Sequence, residues 1–256
     1  MKLLEGKRGV VFGVANHHSI AWAVARAAAA EGAHLAVSHV NDRMARRVEP
    51  LARELGVALC GPCDLSEDAQ IDAWFAQVAE VFEGRLDFVV HSVAFAARED
   101  LAGAFVDTSR EGFALAMDVS AYSLLGVMRR AAPLMADGGS VLTMTYVGAE
   151  RVVGNYNVMG PCKAALEAAV RYLAHGLGPA GVRVNAISAG PIKTLSAAGI
   201  PGFRDMLKHA AAHAPLGRNV TPDEVADAAI FLLSDRARAI TGEVLHVDAG
   251  YNIMAV

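Results

Sequence analysis

A tyrosine and a lysine seven residues apart are the residues of this sequence best placed to do chemistry. Tyr156 and Lys163 follow an apolar run, 140–144, that predicts a buried strand, and they open a helical pattern over about 157–177. Seven residues make just under two helical turns, so both side chains should share one face, with the lysine leaning back toward the tyrosine. The pair could act as a proton or hydrogen-bond donor assisted by a positive charge. An exposed lysine and a half-buried tyrosine on an ordinary helix would show the same spacing.

The elements that must position this pair alternate regularly along the chain. Predicted strands cover residues 8–12, 35–40, 57–60, 86–91, 140–144, 182–188 and 243–247. Predicted helices cover residues 20–31, 42–55, 66–82, 108–135, 157–177 and 221–233. The alternation predicts an α/β fold: a single doubly wound (Rossmann) domain over residues 1–256, with a parallel seven-stranded sheet and helices on both faces. Ligands of such sheets bind outside the carboxyl ends of the strands.

Composition excludes several classes of function. Of the 256 residues 54% are apolar and 20% are charged, which indicates a packed interior rather than disorder. A net charge of -4 gives no general attraction to nucleic acid or to an anionic membrane. No apolar run is long enough to span a bilayer, and the first residues lack the pattern of a signal peptide. We therefore predict a cytoplasmic protein without nucleic-acid or membrane partners.

Two cysteines in a Cys-x-x-Cys arrangement, Cys60 and Cys63, could indicate a redox site. Redox motifs of this kind normally open a helix, whose N-terminus lowers the thiol pKa. Here the motif closes a short predicted strand, and the neighbouring Asp64 should raise the pKa of a thiol. A structural role is the favoured interpretation.

Two histidine pairs could suggest metal binding. His17 and His18 lie in the first loop without a nearby carboxylate or thiolate, which favours a solvated loop. His209 and His213 have helical spacing, but the glutamate of the His-Glu-x-x-His motif is missing. We predict no metal.

The loop after the first strand is a reduced version of a dinucleotide-binding loop. Of the usual Gly-x-Gly-x-x-Gly fingerprint only Gly13 remains, with the small residues Ala15 and Ser19. A pyrophosphate needs close approach to the backbone and the N–H groups of a helix N-terminus. Gly13 and the helix start at Ser19 and Ile20 could supply both.

Segments along essentially the whole chain carry a family resemblance. They are Gly13-Val-Ala with Ser19-Ile20-Ala, Glu31-Gly-Ala, Asp64, His91-Ser-Val-Ala-Phe, Arg110-Glu-Gly-Phe, Gly148-Ala-Glu-Arg, Asn155-Tyr-Asn-Val-Met-Gly and Arg183-Val-Asn-Ala-Ile-Ser-Ala-Gly-Pro-Ile192. With them, the sequence resembles the NADH-type bacterial enoyl-[acyl-carrier-protein] reductases, a divergent branch of the short-chain dehydrogenase/reductase superfamily. The Tyr-x6-Lys spacing separates this branch from ordinary members, which have Tyr-x3-Lys.

The resemblance implies a reaction and a set of partners. Hydride would pass from NADH to the β-carbon of a trans-2-enoyl thioester carried by acyl carrier protein, in type II fatty acid synthesis, and the enzyme would be a homotetramer. Tyr156 would donate a hydrogen bond to the thioester carbonyl, Lys163 would bind the nicotinamide ribose, and Tyr146 would assist in the acyl pocket. Beside a phenol about 4 Å away, an ammonium contributes ~4 kcal/mol at a dielectric constant near 20, so Lys163 could lower the pKa of Tyr156 from about 10 toward about 7.

The resemblance also implies binding residues and a lid. The cofactor-binding residues would be Gly13, Ser19, Ile20, Val40, Asp64, Leu65, Val93, Lys163, Ile192, Lys193, Thr194, Leu195 and Ser196. The substrate-binding residues would be Ala96, Tyr146, Tyr156, Met159, Ile200, Phe203 and Met206. Residues 194–213 would form a mobile lid over the acyl chain, although a surface helical hairpin would show the same pattern. Arg204 and Lys208, which share a helix face, could meet the acidic carrier protein or simply be solvated.

Three features depart from the family pattern. Val40 stands where NADH users often have Gln, and the arginines at 43, 46 and 47 could suit the 2′-phosphate of NADPH, so NADPH is possible. Pro161 lies inside the predicted Tyr–Lys helix and is tolerable only if the helix starts nearby. Ala94 replaces the usual Gly, and its methyl group could narrow the pocket against flat aromatic inhibitors.

Two alternatives remain open at this point. A short-chain reductase acting on a 3-oxoacyl thioester or a ketone would have Thr-Gly-x3-Gly-x-Gly, Asn-Asn-Ala-Gly and Tyr-x3-Lys, none of which is present, and Asp118 stands where such enzymes carry a catalytic Asn. A non-catalytic NAD(P)-sensing protein would be expected to lose Tyr156 or Lys163, and both are present.

Overall fold

Seven parallel strands form one sheet in the computed structural model, which describes residues 2–195 and 197–255. The strands are β1 (Arg8–Phe12), β2 (His34–His39), β3 (Leu59–Pro62), β4 (Phe88–His91), β5 (Gly139–Thr145), β6 (Val182–Ala189) and β7 (Val244–Val247). Their order in the sheet is β3-β2-β1-β4-β5-β6-β7, and every neighbouring pair is parallel. The predicted doubly wound α/β sheet is thereby confirmed.

Helices cover both faces of the sheet. They are α1 (Ile20–Ala30), α2 (Asp42–Leu55), α3 (Asp68–Val81), α4 (Arg98–Leu101), α5 (Arg110–Met117), α6 (Ser123–Ala131), α7 (Met159–Leu177), α8 (Phe203–His213) and α9 (Pro222–Leu233). Local signals explain several ends: Gly56 ends α2 in a left-handed conformation, and Thr221 with Glu224 forms a capping box that starts α9. None of the helices in the described ranges is both long and apolar enough to cross a membrane.

The chain reverses its direction of growth between β1 and β4. From β1 it extends through β2 to β3 at one edge, and it then returns to build β4 through β7 on the other side. Loops from adjacent carboxyl ends separate at this switch point and leave a crevice, which is where ligands bind in open α/β sheets. The order of the strands therefore locates the functional cleft at the ends of β1, β4, β5 and β6.

The sheet separates two hydrophobic cores. One core contains Trp22 of α1 and Ile230 of α9, and the other contains Trp74 of α3, Leu124 of α6 and Leu166 of α7. All five side chains are at most 5% exposed. Burial of this apolar surface on both faces holds the strands in register and makes the loops at their ends the variable part of the molecule.

The two cysteines of the Cys-x-x-Cys sequence lie at β3 and belong to different cores. Cys60 packs against the core of α1 and α9, whereas Cys63 is buried in the core of α3, α6 and α7. Burial, and secondarily the charge of Asp64, raises the pKa of Cys63 to about 12. The thiol is therefore not a thiolate at neutral pH, and the predicted effect of Asp64 is confirmed.

Two sequence predictions of helices were wrong in detail. The long helix expected over 108–135 is interrupted by a π-helical turn at Asp118–Tyr122 and ends in a 3-10 turn at Ala132–Leu134. The helix expected from about Asn157 begins only at Met159. Tyr156 precedes it in a turn because Asn155 and Asn157 both have positive φ angles, 63° and 40°. The remaining boundaries differ by up to two residues, and β3 lies two residues later than expected.

Candidate active site

A cavity of about 400 Å³ lies at the carboxyl ends of β1, β4, β5 and β6. Most of the residues singled out from the sequence line it. They are Gly13, Ser19, Ile20, Val93, Ala96, Tyr146, Tyr156, Met159, Lys163, Ile192, Thr194, Leu195, Ile200, Phe203 and Met206. The sheet thus brings residues that are up to 193 positions apart, from Gly13 to Met206, into one site.

Five of the predicted cofactor residues lie elsewhere or cannot be placed. Val40 is 44% exposed just after β2, and Lys193 is exposed beside the cleft. Asp64 follows β3 and accepts hydrogen bonds from Ser66, while the side chain of Leu65 is buried in the core of α3. None of these four lines the cavity. Ser196 lies outside the described residues.

Tyr156 lies at the base of the cleft and is held there by its neighbours. Its side chain is 8% exposed, and its ring meets the ring of Tyr146 edge to face with centroids 5.0 Å apart. A Cβ on Gly148 would lie 2.5 Å from the Tyr156 ring, so only glycine leaves room for the phenol. Tyr146 in turn donates a hydrogen bond to Met206 Sδ at 3.5 Å. The two phenols therefore form one ordered unit beneath α8.

Lys163 lies one turn into α7 and is 6% exposed. Its Nζ donates a hydrogen bond to the carbonyl of Met144, at 2.8 Å, which ties the helix to β5. Burial lowers the pKa of Lys163 to about 8, opposed in part by the nearby Cys162 and Glu167. At neutral pH the amine is mostly an ammonium, and two of its three hydrogens are available to a ligand. Pro161 lies in the first turn of α7, where a backbone donor is not needed.

The expected lowering of the Tyr156 pKa is not what the structure supports. Burial raises the pKa of Tyr156 well above its usual value, and the main additional influences, Tyr146, Cys162 and Glu167, raise it further. Burial likewise raises the pKa of Tyr146. Desolvation of a phenolate outweighs the attraction of the Lys163 ammonium, whose hydrogen bond is directed to Met144. Both tyrosines therefore remain protonated hydrogen-bond donors at neutral pH.

A buried histidine supports the end of β4 behind the cleft. The ring of His91 is fully buried between Thr143 Oγ1 and Ser123 Oγ, each 2.9 Å from a ring nitrogen. Burial, and then the charge of Lys163, lowers the pKa of His91 to about 3. The neutral ring therefore serves as a hydrogen-bonding spacer between β4, β5 and α6.

The first loop fits a dinucleotide. Gly13 has a φ angle of 96°, and a Cβ there would overlap the carbonyl oxygen of Ser92, so the loop after β1 can approach the loop after β4 only with glycine. The N-terminus of α1 opens into the cleft through Ser19 and Ile20. Beyond β1, the buried Nδ1 of His39 at the end of β2 has no hydrogen-bond partner among the described residues. These are positions where the pyrophosphate and the adenosine side of a dinucleotide find donors.

Sequence reasoning missed part of the cleft wall. The missed lining residues are Ala15, Ser92, Phe95, Arg98, Leu101, Met144, Thr145, Ala189, Gly190, Pro191, Ala197 and Gly199. Three of them, 189–191, lie in the Arg183–Ile192 segment and could have been inferred from their position after a strand. Ala94, noted as a departure from the family pattern, also lines the cavity.

The histidine pairs form no cation site in the described ranges 2–195 and 197–255. No group of three or more His, Cys, Asp or Glu side chains there is arranged to hold a metal ion. His17 packs edge to face against Trp22, and His209 stacks on His213 with ring centroids 4.1 Å apart.

Comparison with known proteins gives the family. The model of the family described as "Enoyl-(Acyl carrier protein) reductase" matches residues 13–252. An enoyl-[acyl-carrier-protein] reductase [NADH] of Rhizobium meliloti is 54% identical over 99% of this chain and 93% of its own length. The Bacillus cereus reductase crystallised with NADP+ and indole naphthyridinone has a TM-score of 0.97 at 51% identity, covering all of both chains. The Anaplasma phagocytophilum reductase in complex with NAD has a TM-score of 0.95 at 50% identity, covering 99% of this chain and 97% of its own. This chain therefore belongs to the enoyl-(acyl carrier protein) reductase family.

Proposed function

We propose that this protein is an NADH-dependent enoyl-[acyl-carrier-protein] reductase of type II fatty acid synthesis. It converts a trans-2-enoyl thioester into the saturated acyl thioester. The observation that carries the proposal is the arrangement of Tyr156 and Lys163. A buried, protonated phenol and a buried ammonium line one cleft at the switch point of the sheet. The family of the chain agrees with it.

The residues that fit NADH line one end of the cleft. When bound, NADH supplies the hydride that reduces the β-carbon. Gly13 and the N-terminus of α1 bind the pyrophosphate, and Lys163 donates hydrogen bonds to the hydroxyls of the nicotinamide ribose. The adenosine end lies toward β2 and β3, where Val40, Asp64 and Leu65 follow the strands. The segment after β6 covers the nicotinamide and phosphates with Ile192, Lys193, Thr194, Leu195 and Ser196, and Val93 contacts the adenosine side.

Tyr156 stabilises the negative charge that develops on the thioester oxygen. Reduction of the β-carbon moves electron density toward this oxygen, which becomes an enolate. A donor held in place at such an oxygen typically lowers the barrier by about 3–4 kcal/mol. The raised pKa of Tyr156 keeps its proton on the phenol, so it is always ready to donate. The backbone of Ala96 meets the substrate on the opposite wall, and a water molecule then protonates the α-carbon.

The acyl chain lies against apolar side chains on α7 and α8. Met159, Ile200, Phe203 and Met206 line this part of the cavity. Of the described residues of α8, only Ala210 is buried, and Asn155 donates to the carbonyl of Pro201 just before the helix. So few anchors suit a lid, over residues 194–213, that opens for the acyl chain. Arg204 and Lys208 are exposed on α8 and contact the acidic carrier protein; Lys208 is 3.8 Å from Asp205.

Exposed apolar side chains support assembly into a homotetramer. Phe113 and Leu115 of α5, Tyr122 of the π-helical turn and Leu125 of α6 are each at least 38% exposed. Burying such a stripe against another copy would remove apolar surface from water. Light scattering coupled to size exclusion tests this, and a monomeric mass at micromolar concentration would contradict it. Because carrier-protein-dependent synthesis is the proposed pathway, we also propose a cytoplasmic location, which cell fractionation tests.

The main experiment is steady-state turnover of a trans-2-enoyl thioester with NADH and with NADPH. We expect NADH to be preferred, although Arg43, Arg46 and Arg47 follow the end of β2, where a 2′-phosphate could bind. Tyr156→Phe serves as the inactive control. Equal or better turnover with NADPH would reverse the cofactor assignment, and no turnover of any enoyl thioester would contradict the function.

An acetoacetyl thioester tests the alternative of a ketone reductase. The structure disfavours this alternative because Asp118, at the position of the catalytic Asn of such enzymes, does not line the cleft. We expect no oxidation of NADH with this substrate. NADH binding without turnover of either thioester would instead favour a non-catalytic sensor.

A further inference from the structure

The π-helical turn at Asp118–Tyr122 interrupts the helix behind the cleft. A π turn is rare and costs stability, and such turns occur frequently at functional sites. One extra residue in a helix rotates everything after it by about 100°. Ser120 lies in the middle of this turn, and its side chain is fully buried.

Ser120 binds both main-chain polar groups of a single residue in the cleft wall. Its Oγ accepts a hydrogen bond from the N–H of Phe95 at 2.9 Å and lies 3.0 Å from the Phe95 carbonyl oxygen, to which it can donate. Its other polar neighbour in the described ranges is Met159 Sδ, at 3.8 Å. Ser120 therefore uses its acceptor and its one donor hydrogen on the loop that follows β4.

The loop has little else to hold it. Within the described part of the chain, no hydrogen bond between main-chain groups involves residues 93–96. Yet Val93, Ala94, Phe95 and Ala96 all line the cavity. The conformation of this wall therefore depends on Ser120.

A second serine anchors the π turn itself. Ser123 Oγ donates to the carbonyl of Val119 at 2.7 Å and lies 2.9 Å from Nε2 of the buried His91 at the end of β4. The π turn is thus tied to the end of β4 through Ser123 and to the next loop through Ser120. Both serines face the same side because the extra residue brings them there.

We propose that Ser120 is a positioning residue for substrate binding in the proposed reaction. It holds the peptide groups around Phe95 so that Ala94 and Ala96 form a fixed wall for the enoyl thioester. The inference rests on the proposed function only for the identity of the substrate. It does not extend to the pyrophosphate site, since Gly13 and α1 lie on another part of the cleft.

The test compares Ser120→Ala with a matched control, Ser140→Ala. Ser140 is also a buried serine, 2% exposed, and it donates to a main-chain carbonyl, that of Leu232, at 3.0 Å, but it does not line or support the cleft. Both variants lose one buried hydrogen-bonding hydroxyl and should lower the melting temperature similarly. Only Ser120→Ala should raise KM for the enoyl thioester, by about fivefold, while the Kd for NADH changes by less than about twofold.

Hydrogen–deuterium exchange separates positioning from general loss of stability. In Ser120→Ala, exchange of the peptide containing Phe95 should accelerate while core peptides match those of Ser140→Ala. Ser120→Cys, which keeps the shape with a weaker donor and acceptor, should be intermediate and serves if the alanine variant does not fold.

Unchanged exchange at Phe95, or equal KM effects in the variants at 120 and 140, would overturn the proposal. If the wild-type protein reduces no enoyl thioester, the proposed function fails. In that case exchange at Phe95 still decides whether Ser120 holds the loop.

Discussion

The rings of Tyr146 and Tyr156 meet edge to face, and only Tyr146 has a hydrogen-bond partner among the described residues, the sulfur of Met206. The hydroxyl of Tyr156 is thus the free donor of the pair, with its proton retained by burial. The relationship assigns different tasks to two chemically identical side chains.

Replacement of Tyr156 by Phe should remove the donor and leave the ring packing. We expect kcat for an enoyl thioester to fall by about 10²- to 10³-fold, as for loss of one oxyanion donor, with the Kd for NADH unchanged. Tyr146→Phe is the matched control, because it loses only the contact with Met206 and should reduce kcat much less. Equal effects of the two substitutions would contradict the division of tasks.

The pH dependence of NADH binding should report on Lys163. Its pKa is about 8, and the charged form binds the ribose, so affinity should be constant below pH 8 and fall by about tenfold per pH unit above it. Fluorescence titration from about pH 6 to 10 measures this, and Lys163→Met should show weak binding that does not vary over the range. A wild-type affinity that stays constant across the titration would contradict the assignment.

Stability should respond to the same group with the opposite sign. The pKa of Lys163 is lowered from 10.5 to about 8, so the unfolded chain binds more protons than the folded chain between these two values. The contribution of Lys163 to the free energy of unfolding should therefore increase as the pH rises through this window. Urea denaturation of the wild type and Lys163→Met at about pH 8 and about pH 10 isolates it as the difference in their pH dependence.

Acid should destabilise the protein through His91. Its pKa is about 3 when folded against an ordinary value of 6.5, so the unfolded chain binds more protons between these values and stability is lost as the pH falls. The loss attributable to His91 should be about 2 kcal/mol between pH 7 and pH 5. His91→Gln should lose this pH dependence, whereas His18→Gln, in an exposed loop, should retain it. Denaturant titrations at the two pH values provide the comparison.

Gly13 should be irreplaceable for two separable reasons. An alanine there clashes with the Ser92 carbonyl in addition to adopting a positive φ angle, so we expect NADH binding to be lost and the protein to be destabilised. Gly56→Ala is the control, since Gly56 has a φ angle of 62° but nothing within 4 Å of the added carbon. It should cost only about 1 kcal/mol and leave NADH affinity intact. Calorimetric titration with NADH distinguishes the two variants.

Ala94→Gly should increase affinity for flat aromatic inhibitors, because it removes a methyl group from the wall of the cleft. We expect a gain of about tenfold for an indole naphthyridinone, with the KM for the enoyl thioester changed much less. Inhibition constants of the two proteins provide the measurement, and identical constants would refute a steric role for Ala94.

The order of elements and the location of the site were predictable from sequence because each rests on short-range signals. Gly56 ends α2, Thr221 starts α9, and the alternation of strands and helices fixes a parallel sheet whose carboxyl ends must meet. These signals act within a few residues and are therefore visible in the sequence itself.

The details of the site were less predictable because they depend on desolvation and on contacts between distant segments. The pKa of Tyr156 was predicted in the wrong direction, since spacing from Lys163 reveals a charge but not how deeply the phenol is buried. The position of Tyr156 before α7 depends on left-handed conformations at Asn155 and Asn157, which asparagine permits but does not require. The π turn at Asp118–Tyr122 has no sequence signal that we recognise.

The position of Cys60 and Cys63 on opposite faces of the sheet turns an apparent redox motif into a gauge of mechanical integrity. The sheet itself stands between the two sulfur atoms, so an oxidant cannot join them while this edge strand stays paired with β2. A thiol reagent would modify Cys63 only when the strand peels away. Its labelling rate would thus time the opening of the border of the sheet beside the site where the adenosine is proposed to lie.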